Sequence, residues 1–417
     1  MNRKRNLLIG SSLLALIIAC GVGQNAVEEA ADSNAEMAMG DGPMVPMFEV
    51  DPLWPKNLPD HGLMGPTIGV DVDSTDTIWL VHRNTPDQFV ARTEIGLAQD
   101  PPLAECCQPA PPVLAFDQEG NLVHAWGGPG TETGDYVWPG SNHGITIDHM
   151  DNVWIGGNGP ADSHVVKFTQ DGTFLMQIGI PGARQTGEQD GRPVFTRDSK
   201  SMDSYGRVAK IGIDPGANEA YFADGYLNKR IAVVDVDTGE LKRFWGAYGN
   251  EPDDDYDFGG PYQPGEEGKQ QFRGPVHCSE ISNDGLVYIC DRAADRIQVF
   301  QKDGTFVDEV IVAPNTLSQG STWDIDFSPD AEQKFMYLAD GVNQRVHIID
   351  RVTLEVATSF GDGGRQPGQF FGTHSIAVDS QGNIYTTETY EGKRVQKFTF
   401  MGMGPVPSEY QGVVWPK

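Results

Sequence analysis

The stretch HGITIDHMDNVWIGGNGPADSHVVKFTQDGTFLMQIG, residues 143–179, decides the fold of this protein. It reads as a short strand, a turn of Asp-x-x-Gly-Asn type, an aromatic-rich strand and a strand that ends in a Lys-Phe pair. Short apolar runs separated by turn residues are typical of antiparallel strands. Such a unit buries its apolar faces only by stacking on others of its kind, which predicts further copies in the chain.

The pattern occurs six times. The copies are residues 143–179, 209–246, 277–310, 323–361 and 374–398, and an expanded first copy made of 68–83 and 112–127. Six units of about four strands predict an all-β, six-bladed β-propeller over residues 47–417, whereas a parallel β-helix would show shorter and more regular repeats. The last copy lacks its outermost strand, which residues 47–54 (MFEVDPLW) are expected to supply, closing the ring.

The repeats resemble NHL repeats. Three copies carry an Asp that is followed by an Arg after a few residues, and we interpret these as ion pairs that staple the blades. The pairs are Asp224 with Arg230, Asp291 with Arg296, and Asp340 with Arg345.

Residues 1–19 read as a signal peptide. A basic start (residues 3–5) precedes an apolar run (7–19) that is too short to span a bilayer. The run IIAC (17–20) resembles a bacterial lipobox, which implies cleavage before Cys20, acylation of that cysteine and an exported protein anchored to the cell envelope. The alternative is an ordinary secretory leader with a chance cysteine. Residues 20–46 are small, polar and acidic, which predicts a flexible tether.

The formal charge of the chain is −29, and cleavage of the leader would make it more negative by three. A surface this acidic repels nucleic acid and anionic lipid headgroups, so no nucleic-acid partner is expected.

Four cysteines follow Cys20. Cys278 and Cys290 flank the hairpin signal Asn-Asp-Gly (283–285), so they should face each other across two strands and form a disulfide in an exported protein. The adjacent Cys106 and Cys107 lie in a Pro-rich loop, and the sequence does not assign them a role.

Histidines recur at one register of the repeat. Five positions before the residue that ends the first strand, the copies read Ile68, His143, Ala209, His277, Trp323 and His374. The first strand of each blade lines the central channel, and alternate blades of six lie about 120° apart, so the three imidazoles should converge on the axis.

Three converging imidazoles are the ligand set of an open zinc site. We therefore predict that His143, His277 and His374 bind Zn²⁺, although imidazole also suits other divalent transition metals such as Fe, Cu, Ni or Co. The alternative is three unrelated strand histidines. The remaining histidines share no such register and are expected to be surface or packing residues.

The loop after the second strand should lie over one mouth of the channel. It contributes Arg83 in copy one and Arg292 in copy four, on opposite sides of the axis, and Tyr226 in copy three. Arginines bind carboxylates through two parallel hydrogen bonds, and a phenol beside a metal ion and guanidinium groups can act as a base. The pattern predicts a substrate that carries a carboxylate.

The stretches NHGITID, ADGYLNKRI, VHCSEIS, CDRAADRIQVF and THSIAVD resemble the peptidyl-α-hydroxyglycine α-amidating lyases, also called peptidylamidoglycolate lyases. The resemblance covers about residues 47–400. It implies zinc held by His143, His277 and His374. It also implies Tyr226 as the catalytic base, with Arg83 and Arg292 as substrate-binding residues.

The chain departs from this family around its last histidine. The family's Met-Pro-His-Asp is replaced by Gly372-Thr373-His374-Ser375, and the lost Asp helps to hold a structural calcium in the family. This argues against Ca²⁺ here, although Val70 and Ile145 occupy the matching backbone positions. Leu227 follows Tyr226, so the family's disulfide at the tyrosine is absent, as is its partner copper monooxygenase domain.

These observations favour a zinc-dependent lyase that cleaves the C–N bond of a small-molecule or peptide-like carbinolamide, giving an amide and an α-oxo acid such as glyoxylate. Two alternatives stay open. One is a metal-dependent hydrolase of the lactonase or esterase type, and the other is a non-catalytic NHL propeller that binds a partner.

Overall fold

The computed structural model describes residues 44–89, 92–406 and 409–416. The predicted signal peptide, Cys20 and the predicted tether up to residue 43 lie outside the described residues. Among the residues that are described, no helix is long and apolar enough to cross a membrane.

The described residues form β-strands and a few short 3₁₀ helices. The first fourteen strands are β1 (Met44–Asp51), β2 (Gly62–Leu63), β3 (Thr67–Val72), β4 (Ile78–His82), β5 (Gln108–Pro109), β6 (Val113–Phe116), β7 (Leu122–Trp126), β8 (Asn142–Ile147), β9 (Val153–Gly157), β10 (His164–Phe168), β11 (Phe174–Gly179), β12 (Gln185–Gln189), β13 (Arg192–Phe195) and β14 (Val208–Asp214).

The second half of the chain continues the same pattern. Its strands are β15 (Glu219–Asp224), β16 (Arg230–Asp235), β17 (Leu241–Trp245), β18 (Val276–Ile281), β19 (Leu286–Asp291), β20 (Arg296–Gln301), β21 (Phe306–Ile311), β22 (Asp324–Phe327), β23 (Phe335–Asp340), β24 (Arg345–Asp350), β25 (Val356–Phe360), β26 (Thr373–Val378), β27 (Ile384–Glu388) and β28 (Arg394–Pro405). The 3₁₀ helices are Pro86–Gln88, Arg92–Ala98, Ala247–Gly249 and Arg292–Ala294.

Six four-stranded sheets form the blades of a six-bladed propeller, as predicted. In blades one to five the strands follow the order β3-β4-β6-β7, β8-β9-β10-β11, β14 to β17, β18 to β21 and β22 to β25. The first strands of consecutive blades adjoin one another around the ring, which closes between β26 and β3. Each first strand therefore lines the central channel, and an insertion between β4 and β6 expands blade one.

The sixth blade combines the two ends of the described chain. Its order is β26-β27-β28-β1, and the antiparallel pairing of β1 with β28 sets Phe48 opposite Phe400 and Val50 opposite Phe398. The prediction that the N-terminal strand closes the ring is confirmed. That strand begins at Met44 and ends at Asp51, because Pro52 has no N–H to donate to the ladder.

The contacts of the turn after the first strand explain why that turn begins with Asp. Asp148 accepts hydrogen bonds from the Asn152 N–H and from the Trp154 indole N–H, 2.9 Å away in each case. Asp73 binds Trp79 in the same way at 2.9 Å, and both indoles are fully buried between blades. The Asp thus closes the turn and positions the aromatic residue that packs against the neighbouring blade.

Two of the three predicted Asp–Arg pairs form. Arg230 Nε lies 2.8 Å from Asp224 Oδ2, and Arg296 lies 2.9 Å from Asp291 Oδ2, all deeply buried. The prediction for Asp340 and Arg345 is wrong. Asp340 accepts a hydrogen bond from His347 Nε2 at 3.0 Å, and the Arg345 guanidinium lies 4.2 Å from the centre of the Tyr410 ring.

Both cysteine pairs form disulfides. Cys278 on β18 lies directly opposite Cys290 on β19, with 4.8 Å between their Cα atoms, which confirms the predicted pairing. Cys106 and Cys107 are also joined to each other. Two disulfides are in keeping with an exported protein, because they persist in oxidising compartments.

Candidate metal centre

Three histidine side chains meet at the channel axis. They come from the first strands of alternate blades: His143 from β8, His277 from β18 and His374 from β26. Their ring centroids lie 4.8, 4.9 and 5.0 Å apart, and one nitrogen atom of each lies within 4.8 Å of the others. All three side chains are buried. The structure thus brings together the residues that the repeat register selected.

Each histidine is oriented by the blade that follows it. Its Nδ1 contacts the backbone carbonyl of the residue at the same register in the next blade. The pairs are His143 with Ala209 at 2.7 Å, His277 with Trp323 at 2.5 Å, and His374 with Ile68 at 2.6 Å. Because a carbonyl only accepts, Nδ1 must carry the proton in each ring. The Nε2 lone pair of each ring is therefore available to accept a hydrogen bond or to bind a metal ion.

Tyr226 lies directly over this cluster. Its hydroxyl oxygen is 2.8 Å from His143 Nε2 and 3.0 Å from His277 Nε2. The close approach depends on Gly225, since a Cβ there would collide with the backbone of Val276 on the neighbouring blade. A larger residue at position 225 would displace the tyrosine from the axis.

Arg292 contacts Tyr226 from blade four. Its Nη1 donates to the Tyr226 hydroxyl at 3.2 Å, and its Nε donates to the Gln319 carbonyl at 3.1 Å. The guanidinium lies 4.4 Å from the centre of the Trp323 ring, a cation–π contact that fixes its plane. Arg292 is therefore held rigidly beside the phenol.

Arg83 reaches the centre from blade one. Its Nε donates to the Asn142 carbonyl at 3.2 Å, and its Nη2 donates to Asn158 Oδ1 at 2.9 Å. Burial lowers the pKa of Arg83, which still keeps its charge because an unperturbed guanidinium titrates far above neutral pH. The structure thus places two arginines and a phenol around the three imidazoles.

The electrostatics of the centre keep its histidines neutral. Burial lowers the pKa of His143 and His277 well below the ordinary value, and nearby positive charges lower it further. For His374, burial together with Arg292 and Arg83 lowers the pKa to about 3. Neutral imidazole is the form that binds metal ions.

This donor set fits a transition metal. Three neutral imidazoles with their Nε2 atoms facing one point match the protein ligands of an open zinc site, which has a fourth position for water or substrate. The residues are also compatible with Fe, Cu, Ni or Co, since imidazole binds all of these ions.

The position of the family's calcium-binding aspartate does not fit calcium in this chain. The side chain at the position of the family's aspartate is the Ser375 hydroxyl, which donates to Asp324 Oδ2 at 2.5 Å and accepts from the Val70 N–H at 3.3 Å. Calcium requires 6–8 oxygen ligands, usually including carboxylates. The Ser375 oxygen is already engaged by two protein groups, so it is not available as a ligand for Ca²⁺.

Sequence reasoning gave no role to the residues that support the histidines. Trp323 occupies the histidine register in blade five, where its carbonyl orients His277 and its ring packs on Arg292. Its place at the histidine register was the feature of the sequence that could have identified it as part of the centre. Asn158 stands in blade two at the register position of Arg83 and Arg292, so the repeat also places it at this mouth, where its side chain binds Arg83. The Gln319 carbonyl that binds Arg292 comes from a loop, where the repeat pattern carries no information.

Three of the histidines outside the register make structural contacts in the described part of the chain. His82 is buried, with Nε2 lying 2.8 Å from the Pro111 carbonyl, while His347 pairs with Asp340 and His124 stacks on Trp79. These contacts agree with the interpretation of these residues as packing groups.

No family model matches the chain. Among curated proteins, the mouse NHL repeat-containing protein 3 is 26% identical over 267 residues. The match covers 62% of this chain and 58% of the mouse protein, so the chain matches less than two thirds of that relative. The protein is thus a homologue of an NHL-repeat protein and folds as a six-bladed propeller.

Several solved structures align with the chain at low similarity. A streptogramin B lyase has a TM-score of 0.48 at 12% identity, covering 86% of this chain and 98% of its own. The virginiamycin B lyase of Staphylococcus aureus has a TM-score of 0.46 at 12% identity, covering 84% and 99%. A Bacteroides thetaiotaomicron protein of unknown function reaches 0.49 at 15% identity, covering 85% and 76%.

Proposed function

We propose that the protein is a zinc-dependent lyase that cleaves the C–N bond of a carbinolamide bearing a carboxylate, as in the amidating lyases that its repeats resemble. The observation that carries the proposal is the position of the Tyr226 hydroxyl. It lies 2.8 Å from His143 Nε2, 3.0 Å from His277 Nε2 and 3.2 Å from Arg292 Nη1. A potential base, a cation and the metal-binding nitrogens thus share one point.

In this proposal the two arginines bind the substrate carboxylate. Arg292 and Arg83 present guanidinium groups beside the histidines, and the Arg292 plane is already fixed by Trp323. A fixed guanidinium binds a carboxylate through two hydrogen bonds and orients the rest of the molecule. These cations lie in a chain whose formal charge is −29, so they mark the anion-binding part of its surface.

The hydroxyl on the carbon between the carboxylate and the amide nitrogen then lies beside Tyr226. A bound metal ion supplies a Lewis acid for this hydroxyl. Tyr226 acts as the base that accepts the hydroxyl proton, the C–N bond breaks, and the electron pair of the O–H bond forms the carbonyl of the α-oxo acid. The phenol then donates the proton to the departing amide nitrogen, so atoms and charge balance.

The proposal is tested with the purified full chain and α-hydroxyhippurate, whose cleavage yields benzamide and glyoxylate. Elemental analysis is expected to give one zinc ion per chain, and both products should form in equal amounts. Turnover should disappear on metal removal and return when Zn²⁺ is added. A protein that binds zinc but leaves α-hydroxyhippurate intact would contradict the lyase.

The same preparation separates the two alternatives. A zinc-loaded protein that hydrolyses lactones or esters and does not release glyoxylate would be a hydrolase. A protein without bound metal after purification in zinc-containing buffer would favour a binding propeller. The lipid anchor at Cys20 remains part of the proposal, and mass spectrometry of the mature N-terminus tests it.

A further inference from the structure

A second polar layer lies directly beneath the histidines. It is built from the residues that follow the histidine register in three blades: Lys210 after Ala209, Asp324 after Trp323, and Ser375 after His374. Lys210 Nζ lies 2.8 Å from Asp324 Oδ1 and 3.0 Å from Oδ2, and Ser375 Oγ donates to Asp324 Oδ2 at 2.5 Å. Three blades are thus linked across the channel.

The ammonium group of Lys210 is surrounded by acids. It also contacts Glu280 Oε1 at 2.8 Å, while Asp71 and Asp326 lie close enough for its charge to lower their pKa. The Lys210 and Asp324 side chains are only 8% and 3% exposed. A buried carboxylate is costly without a counter-charge, and the Lys210 ammonium supplies that charge to Asp324 and Glu280.

We propose that Lys210 is a built-in cation that replaces a second metal ion in the channel and positions the histidines above it. A lysine ammonium has three donors, and Lys210 directs them to the carboxylate oxygens of Asp324 and Glu280. A divalent ion would need those same oxygens. The ammonium is covalently attached, so this layer is complete without any ion from solution.

The layer positions the histidines through their anchoring carbonyls. Lys210 is adjacent to Ala209, whose carbonyl orients His143, and Asp324 is adjacent to Trp323, whose carbonyl orients His277. The Ser375 hydroxyl next to His374 binds the Val70 N–H, two residues beyond the Ile68 carbonyl that orients His374. The ion pair thus holds all three anchoring strands at one level.

The test compares the wild-type chain with Lys210→Ala in zinc-supplied, calcium-free buffer. Wild type should contain no stoichiometric calcium, and added millimolar Ca²⁺ should leave its Tm unchanged. Lys210→Ala should have a lower Tm that Ca²⁺ raises again by at least about 2 °C, because the ion then fills the acidic cavity. Its zinc affinity should fall about 10- to 100-fold, as when an outer partner of a metal ligand is lost.

Lys167→Ala is the matched control. Lys167 Nζ forms an equally buried pair with Asp148 Oδ2 at 2.9 Å, but on β10, the third strand of blade two. Its loss should lower the Tm without a calcium response, because Asp148 at the edge of the cavity keeps its hydrogen bonds from the Asn152 N–H and the Trp154 indole. Zinc affinity should not change. This separates positioning of the metal centre from a general loss of stability.

Two outcomes would overturn the proposal. The first is stoichiometric calcium in the wild-type chain, or a wild-type Tm that rises with Ca²⁺. This measurement needs no variant. The second is a Lys210→Ala chain that behaves like Lys167→Ala in both readouts. If Lys210→Ala does not fold, Lys210→Met serves in its place. Neither outcome depends on whether the protein is a lyase.

Discussion

The two ends of the propeller channel use the same strands for opposite electrostatics. At one end, three neutral imidazoles lie beneath Arg83, Arg292 and Tyr226. At the other end, a cavity of about 350 Å³ is lined by residues that include Asp71, Glu280, Asp326 and the single ammonium of Lys210. Along each first strand, only two or three residues separate the histidine register, beside the arginines, from the residues that line the acidic cavity.

The comparison shows how burial acts on each kind of group. At the histidine end, burial and nearby arginines remove the proton from imidazole, which prepares the rings for a metal ion. At the acidic end, burial raises the pKa of Asp71 to about 6, of Asp326 to about 7 and of Glu280 to about 8. Burial therefore favours the neutral form of these groups at both ends, by deprotonation of the imidazoles at one and by protonation of the carboxyl groups at the other.

The largest effect is expected from removing one imidazole. His277→Ala should abolish zinc binding and turnover, because two imidazoles form an incomplete site. Elemental analysis and the α-hydroxyhippurate assay measure both. His347→Ala is the control, since His347 pairs with Asp340 away from the axis and its loss should leave zinc content unchanged. Full zinc occupancy in His277→Ala would disprove the metal centre.

Tyr226→Phe should have the next largest effect. It removes the proposed base while leaving the imidazoles in place, so kcat should fall about 10²- to 10⁴-fold at unchanged zinc content. Tyr221→Phe on β15 is the control, because the Tyr221 hydroxyl binds Glu219 inside blade three. A Tyr226→Phe enzyme with wild-type kcat would show that the phenol is not the base.

A smaller effect is expected at the arginines. Arg292→Lys keeps the charge but loses the planar fork and the fixed stacking on Trp323, so KM should rise about 10- to 100-fold, equivalent to about 1.5–3 kcal/mol. Steady-state kinetics on the carboxylate substrate measure it. Arg243→Lys, which changes an ion pair with Glu219 on the outer strand, should leave KM unaltered. Equal KM values in the wild type, Arg292→Lys and Arg243→Lys would show that Arg292 does not bind the substrate.

The smallest effect concerns the acidic end. Because Asp71, Asp326 and Glu280 have raised pKa values in the folded chain, these three groups hold more protons there than in the unfolded chain between about pH 4 and pH 8. Stability from these groups is present at the acidic end of this window and is lost as the pH rises through it.

Chemical denaturation at several pH values measures this slope. Glu280→Gln should flatten it between about pH 5 and pH 8, since the amide does not titrate while Lys210, Asp324 and Asp326 remain. At neutral pH the zinc content of Glu280→Gln should equal that of the wild type, because Asp324 still holds Lys210 in place. A slope that is unaltered in Glu280→Gln would show that this carboxyl does not hold a proton in the folded chain.

Much of the site could be predicted because it follows the repeat. The register that selects His143, His277 and His374 also gives the blade count, so symmetry alone places the three imidazoles at one level. The Cys278–Cys290 pairing was predictable for the same reason, as a hairpin turn fixes its cross-strand partners. Arg345 shows the limit, because the repeat predicted a partner that a neighbouring histidine takes instead.

The sequence by itself determined the propeller, the alternate placement of the histidines and the residues above them, because a repeated pattern of strands leaves little freedom in how blades stack. Only the tertiary structure decided which carbonyls orient the imidazoles, which nitrogen of each faces the axis, and that Lys210 lies among the acids beneath them. Those contacts join different blades, and a pattern within one repeat contains no information about distances to another.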